Sequence, residues 1–341
     1  MTTTIAFATR DCLVVGCDSL ATTLKPVIDI TYFRRRYFDE NLEVRVDADG
    51  KPILHDFHNV TNEVGVQIPT NSESDVTKLF SLEPANCAVL FAGAASVGTE
   101  SLSNIIDSFL SDTLISKYLK GAFTISGIVN RLAEFIGTPY HEFYQRTGFL
   151  PYMEILVAGY SKRKSKPEIH KILFNDDGKI TTQQQNEPGN ELLITGGQDA
   201  EIQRLLNGID DNSTNSFAMY MRSMLATYGD YIEEHISKIT GKDIEIPLFQ
   251  DIKEMPEIDT EWVSSIGLNL PNFSEQGAIN FVDFLIDTMI KSQEFSSDLP
   301  TVGGDIHIGL LTKRGGFKWI SNEMYTHRDN EVPKHVRSNP K

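Results

Sequence analysis

Thr3-Thr4-Ile5-Ala6-Phe7-Ala8 and Cys12-Leu13-Val14-Val15-Gly16-Cys17 are two short apolar runs joined by the polar Thr9-Arg10-Asp11. They read as a strand hairpin that opens the chain. Thr2 stands just ahead of the first run, and Asp18 directly follows the second. A threonine exposed by removal of Met1 carries a hydroxyl nucleophile and a free amine on one residue, so the amine can act as general base for its own side chain. Taken alone, Thr2-Thr3-Thr4 is a polar chain end; the rest of the chain reverses that reading.

Moving outward, the pattern degrades from Leu24 to about Thr77, through Arg34-Arg35-Arg36, the turn signal Asp47-Ala48-Asp49-Gly50-Lys51 and the polar Thr70-Asn71-Ser72-Glu73-Ser74. This reads as an insertion with a hairpin of its own. Lys78-Leu79-Phe80-Ser81-Leu82 and Cys87-Ala88-Val89-Leu90-Phe91-Ala92 are then strands, the second closed by Gly93. Two long amphipathic helices are expected over about 99–119 and 126–146, with Leu102, Ile105, Ile106 and Phe109 at helical spacing. Strands follow at Glu154–Gly159, Ile169–Phe174 and Leu192–Thr195, with an Asp176-Asp177-Gly178 turn after the second. Helical periodicity covers about 199–206, 216–239 and 275–292, broken by a Pro- and acid-rich stretch near 246–259; Ile306–Thr312 and Gly316–Ile320 are the last strands. Segregated helices and antiparallel strands predict an α+β fold, with two antiparallel sheets packed face to face and helices outside. The 341 residues are read as a single domain, 1–341, with the insertion at about 24–77 and extra helical length at about 207–293.

The formal net charge of -16 argues against nucleic acid or an anionic membrane as partner. Cys12, Cys17 and Cys87 have no metal-ligand spacing and suggest no disulfide framework, so a reducing cytoplasm is expected. No apolar run approaches membrane-spanning length, and Arg10-Asp11 interrupts any signal-peptide core. Nothing in the chain calls for a cofactor or a metal.

Read together, Thr2-Thr3-Thr4-Ile5, Asp18-Ser19-Leu20-Ala21-Thr22, Lys78-Leu79-Phe80 and Phe91-Ala92-Gly93-Ala94-Ala95 resemble the catalytic β-type subunits of the proteasome and their bacterial relatives. Leu150–Gly159 looks like that family's central strand, and Val302-Gly303-Gly304-Asp305 leads a stretch similar to its penultimate one. The resemblance implies the four-layer αββα sandwich of N-terminal-nucleophile hydrolases and a threonine endopeptidase. Thr2 matches the nucleophile, its amine having an ordinary pKa of about 7.7–8.0. Lys78 matches the lysine whose charge favours the neutral amine. Asp18 matches the carboxylate that holds the lysine. Gly93 matches the glycine whose amide binds the oxyanion. Ala21, Thr22 and Ala95 match positions that bind an extended substrate backbone, and Phe91 the floor of the primary specificity pocket.

The pattern also departs from the family. No serine follows Thr195-Gly196, and Asp298-Leu299-Pro300-Thr301 replaces the usual Asp-x-x-Ser; Asp298 and Thr301 form an altered auxiliary pair on this reading. Lys25 competes with Lys78 for the lysine role, being nearer to Asp18 in sequence. His55-Asp56-Phe57-His58 reads as solvated insertion, Arg34-Arg35-Arg36 as an exposed charged strand, and His307 as packing or interface. The functions implied are a threonine peptidase in a self-assembled, homo-oligomeric ring or related assembly, acting on peptide or unfolded protein, with an ATP-dependent unfoldase as a candidate partner. A catalytically silent scaffold subunit and an amidohydrolase of small amides are the alternatives.

Overall fold

The computed structural model describes residues 2–47, 50–53, 65–97, 100–147, 152–164, 166–175, 178–187, 190–241, 267–296 and 299–321, apart from the side chains of residues 23–26, 65–69, 144–147, 271 and 321. In chain order the strands are β1 (Thr3–Ala8), β2 (Leu13–Asp18), β3 (Ala21–Ile28), β4 (Gly65–Glu73), β5 (Leu79–Ser81), β6 (Cys87–Gly93), β7 (Ser96–Val97), β8 (Glu100–Ser101), β9 (Met153–Gly159), β10 (Glu168–Phe174), β11 (Ile180–Gln184), β12 (Leu192–Gly197), β13 (Ile306–Thr312) and β14 (Gly316–Ser321). The helices are α1 (Ile30–Tyr37), α2 (Leu102–Ser111), α3 (Thr113–Lys120), α4 (Ile125–Thr147), α5 (Ala200–Asn207), α6 (Asp211–Thr240) and α7 (Glu275–Glu294).

The opening hairpin lies at the centre of one antiparallel sheet, ordered β12-β1-β2-β13-β14; the second runs β11-β10-β9-β6-β5. Both faces of β1 and β2 are buried, which is why these runs are apolar at nearly every position. Ile5, Phe7 and Val14 pack with α7 through Val282, Leu285 and Ile286. The alternate residues Ala6, Ala8, Leu13, Val15 and Cys17 meet Leu79, Leu90 and Leu156 of the second sheet. On that sheet's outer face Val89, Phe91, Ile155 and Ile172 join Ile105, Phe109, Leu132 and Ile136 of α2 and α4. The result is helix, sheet, sheet, helix: the four-layer αββα sandwich. Gly16 lets α7 lie close to β2, because a Cβ there would stand 2.7 Å from Val282 Cγ1.

Local chemistry corrects several expectations. The single helix expected over 99–119 is two, α2 and α3. Asp112 ends the first and caps the second, its carboxylate accepting from Leu114 N and Ile115 N. The expected irregularity after Leu24 is instead a long ribbon: β3 pairs with β4 from Ala21↔Glu73 to Ile28↔Gly65, strands distant in sequence and not a local hairpin. Arg34, Arg35 and Arg36 lie in the last turn of α1, where their charge suits the carbonyl end of the helix, and not on a strand. β11, which pairs with β10, was not anticipated because Thr181-Thr182-Gln183-Gln184 lacks an apolar pattern. The His55-Asp56-Phe57-His58 cluster, the Asp176-Asp177 turn and the 246–259 stretch lie outside the described residues. No helix among the described residues is long and apolar enough to cross a membrane.

His307 is fully buried beside Cys17 in the sheet pairing, and neither ring nitrogen has a hydrogen-bond partner among the described residues. Burial, with Lys78 adding repulsion, holds its pKa below the usual histidine value against the smaller opposing pull of Asp305, Asp18 and Asp75. The unfolded chain therefore binds this proton more readily than the folded one, and stability falls as pH drops below about 6.5. Melting temperature should fall more between pH 7.5 and 5 in the wild type than in His307→Leu; equal slopes would dissociate His307 from the acid sensitivity.

Candidate active site

Asp18 ends β2 with a carboxylate that has no access to solvent. Oδ1 accepts from Thr3 N at 3.0 Å; Oδ2 accepts from Gly303 N at 3.0 Å and Leu20 N at 3.2 Å. Both oxygens lie 3.1 Å from Lys78 Nζ, which also donates to the Leu20 carbonyl at 2.6 Å. Lys78 is 3% exposed and stands just before β5, so this ion pair crosses from one sheet to the other. Sixty sequence positions separate the two residues. The bond from Val76 N to Ser19 O at 2.9 Å returns the chain to Asp18 after the β3–β4 ribbon, and Phe91 N to Lys78 O holds the lysine to β6.

Thr2 lies at the head of β1, 3% exposed, on the residue before the one whose amide binds Asp18. Its carbonyl accepts from Gln198 N at 2.8 Å. Thr3 Oγ1 donates back to the Gln198 carbonyl at 2.5 Å, and Thr301 Oγ1 to Gln198 Oε1 at 2.5 Å. Gln198 and Gly197 are thus part of the frame around Thr2. The sequence signals them only weakly, through the Gly196-Gly197 pair at the end of a strand. Gly197 has φ +72°, and a Cβ there would stand 1.9 Å from the Thr2 carbonyl oxygen and 3.0 Å from Ala92 Cβ. Ala92, near the end of β6, therefore lies by the Gly197 turn that holds the Thr2 carbonyl.

Gly93 has φ +93°, and a Cβ would meet the Tyr152 carbonyl at 2.3 Å, so only glycine fits this turn. The Tyr152 hydroxyl donates to Glu154 Oε2 at 2.7 Å, and Glu154 pairs with Lys171 at 2.8 Å. Burial, then the neighbouring Glu154, push the Tyr152 phenol well above its usual pKa. Glu154, Lys171, Thr195, Gly196 and Asp199 line a polar cavity of about 350 Å³ beside the Gly196-Gly197 turn. Among the described residues no cluster of three or more His, Cys, Asp or Glu is placed to hold a metal.

The structure joins Asp18 and Lys78 directly and sets Thr2 one residue from the Asp18-bound Thr3 amide, while Ala92, next to Gly93, lies by the Gly197 turn that holds the Thr2 carbonyl. Thr301 is 4% exposed and reaches this group through Gln198; Gln293 Oε1 accepts its amide at 3.2 Å. Asp298 and the side chain of Lys25 lie outside the described residues. Ala21 begins β3 and is half-buried; the hydroxyl of the next residue, Thr22, donates to Pro300 O at 3.0 Å, so that group is held by the protein. Ala95 is exposed just past Gly93. Phe91 is 1% exposed, edge-on to Phe80 at 5.7 Å, in the layer beneath α2 and α4.

The Gly197 geometry makes a sharp prediction. Gly197→Ala should displace the Thr2 backbone, and if Thr2 carries chemistry a shift of about 1 Å there costs on the order of 100-fold in rate. Circular dichroism and amide-hydrolysis assays on one preparation check it; wild-type turnover by a folded variant would remove Gly197 from the site.

No family model matches the chain, and no curated protein matches it. Among solved structures it is similar to the Anbu (Gly-1) mutant from Hyphomicrobium sp. strain MC1, with 13% identity, 96% of this chain and 91% of that chain covered, and a TM-score of 0.40. It is also similar to Anbu (ancestral beta-subunit) from Yersinia bercovieri, with 11% identity, 95% and 89% covered, and a TM-score of 0.39. These findings correct the resemblance to catalytic proteasome β-type subunits. These two structures are Anbu proteins, only distantly related in sequence, and short ordered motifs such as Lys-Leu-Phe do not carry membership of the narrower family.

Proposed function

We propose that the chain is an N-terminal-threonine hydrolase of amide bonds, acting on peptides within a homo-oligomeric assembly. The observation that carries the reading is the buried Asp18–Lys78 pair beneath Thr2. Burying two charges costs several kcal/mol per ion before their attraction offsets it, so such a pair is a poor device for stability alone. Beside a free amine it has a use: the ammonium disfavours protonation of a neighbouring amine, which is then free to accept the proton of its own hydroxyl.

In this mechanism Met1 is absent and Thr2 Oγ attacks the carbonyl carbon of the substrate amide. The hydroxyl proton passes to the Thr2 amine and then to the leaving nitrogen, leaving an ester on Oγ. Water, deprotonated by the same amine, cleaves that ester and restores the hydroxyl. The Gly93 amide is the donor assigned to the oxyanion. Ala21, Thr22 and Ala95 flank an extended substrate, which favours a peptide over a small amide. Two measurements on the purified chain test this: intact mass, expected to lack Met1, and incubation with a peptidyl β-lactone, expected to acylate Thr2. A retained Met1, or an adduct on another residue, would sink the assignment.

Specificity follows from Phe91. Its ring fills the space under α2, so small or modest side chains before the scissile bond should be preferred. Forcing an aromatic ring into occupied volume costs roughly 1–3 kcal/mol, or about tenfold to a hundredfold in selectivity. The ratio of kcat/KM between peptides ending in Ala and Tyr removes any effect of folded fraction. Phe91→Ala should shift that ratio toward Tyr; an unchanged ratio would confine Phe91 to packing.

A further inference from the structure

Glu154 is the second residue of β9 and only 4% exposed, a carboxylate on an inner strand whose other positions are all apolar. The chemistry proposed for Thr2 does not use it. Burying a charge is unfavourable unless the charge is paired and hydrogen-bonded, and the contacts of this one run in two directions. Towards β6, Glu154 Oε2 accepts from the Tyr152 hydroxyl at 2.7 Å, and the Tyr152 carbonyl accepts from Ala94 N at 2.9 Å. That same carbonyl fills the space of a Cβ on Gly93, 2.3 Å from where it would stand. Towards β12, Glu154 Oε1 lies 2.1 Å from where a Cβ on Gly196 would be. Lys171 Nζ, 2.8 Å from Oε1, donates to the Thr195 carbonyl at 3.4 Å. The next residues, Gly197 and Gln198, hold the Thr2 carbonyl.

We propose that Glu154, held by Tyr152 and Lys171, is a positioning group for the hydrolysis, fixing the Gly93 turn relative to the turn that frames Thr2. The proposal rests on the reading of Thr2 as nucleophile and of the Gly93 amide as oxyanion donor. Such a donor serves only when it stands about 2.7–3.1 Å from the place where the charged oxygen forms. Both turns are built on glycines, which offer no side chain for apolar packing to grip. Hydrogen bonds and an ion pair are directional, so a carboxylate between the turns sets a position where an apolar residue would set only a contact.

Tyr152 is 52% exposed, so Tyr152→Phe removes one hydroxyl from this chain of contacts without opening the core. Its kcat should fall about tenfold, against the roughly 10²–10³ lost when an oxyanion donor is removed outright, with KM and melting temperature at wild-type values. A smaller folded fraction would also lower kcat, so the deciding readout is the inhibition constant of a peptide boronate. Its tetrahedral adduct on Thr2 Oγ puts an oxygen where the oxyanion forms. That constant should rise about tenfold too, and folded fraction does not move it. Glu154→Gln should show the same pattern. The double variant should lose no more than Glu154→Gln alone, because the hydroxyl acts through the carboxylate. Unchanged boronate affinity in Tyr152→Phe would overturn the proposal, as would additive losses in the double variant. A wild type that neither cleaves peptide nor takes up boronate at Thr2 would sink the nucleophile assignment and this proposal with it. A wild type active through Thr2, matched by Tyr152→Phe in kcat and boronate affinity, would overturn this proposal alone.

Discussion

Thr2→Ala is expected to lower amide hydrolysis by roughly 10⁴-fold or more, the scale seen when a nucleophile is removed from a machinery that acts as a unit. The substitution deletes the attacking oxygen and keeps the amine, so it separates the two functions assigned to one residue. It should leave the fold intact. The Thr2 carbonyl that accepts from Gln198 N and the Thr3 amide that binds Asp18 are backbone groups, and alanine retains them. Turnover of a fluorogenic peptide panel, with urea unfolding of the same preparation, checks both halves. Turnover at the wild-type level would place the nucleophile elsewhere; loss of activity with a large loss of stability would make Thr2 a packing residue.

The second large effect belongs to the ion pair. Lys78→Ala should lower activity by several orders of magnitude and stability by about 3 kcal/mol or more, because it strands a buried carboxylate. Asp18 would keep three backbone donors, Thr3, Leu20 and Gly303, which places the expected loss at the lower end of that range. Asp18→Asn tests the same site by a different route. Its amide NH₂ would face a backbone N–H on one side or the other, since both carboxylate oxygens accept from amides. Urea midpoints and kcat for both variants decide the matter. Wild-type activity in Lys78→Ala, with loss in Lys25→Ala, would transfer the lysine role across the ribbon.

The elements that a short window determines were legible from the chain alone. The apolar runs of β1, β2, β6 and β9, buried on both faces, could be nothing but inner strands, and the spacing of Leu102, Ile105, Ile106 and Phe109 made α2 a helix against a sheet. Alternating strands and helix pairs led to the layered architecture. The break at Asp112 was also local, a capping side chain that apolar periodicity alone does not weigh. Only the tertiary structure decided what depends on residues far apart. It paired β3 with β4 across the long stretch between them, where alternation is weak and no tight turn signals the register. It carried Lys78 across sixty positions to Asp18, because a lysine's partner is set by which strand ends meet and not by spacing. It made Gln198 part of the frame of Thr2, a role for which a glutamine after two glycines carries almost no sequence signal. And it left the apolar face of α6 uncovered: periodicity shows that a helix has such a face, while what lies against it is a property of the assembled molecule.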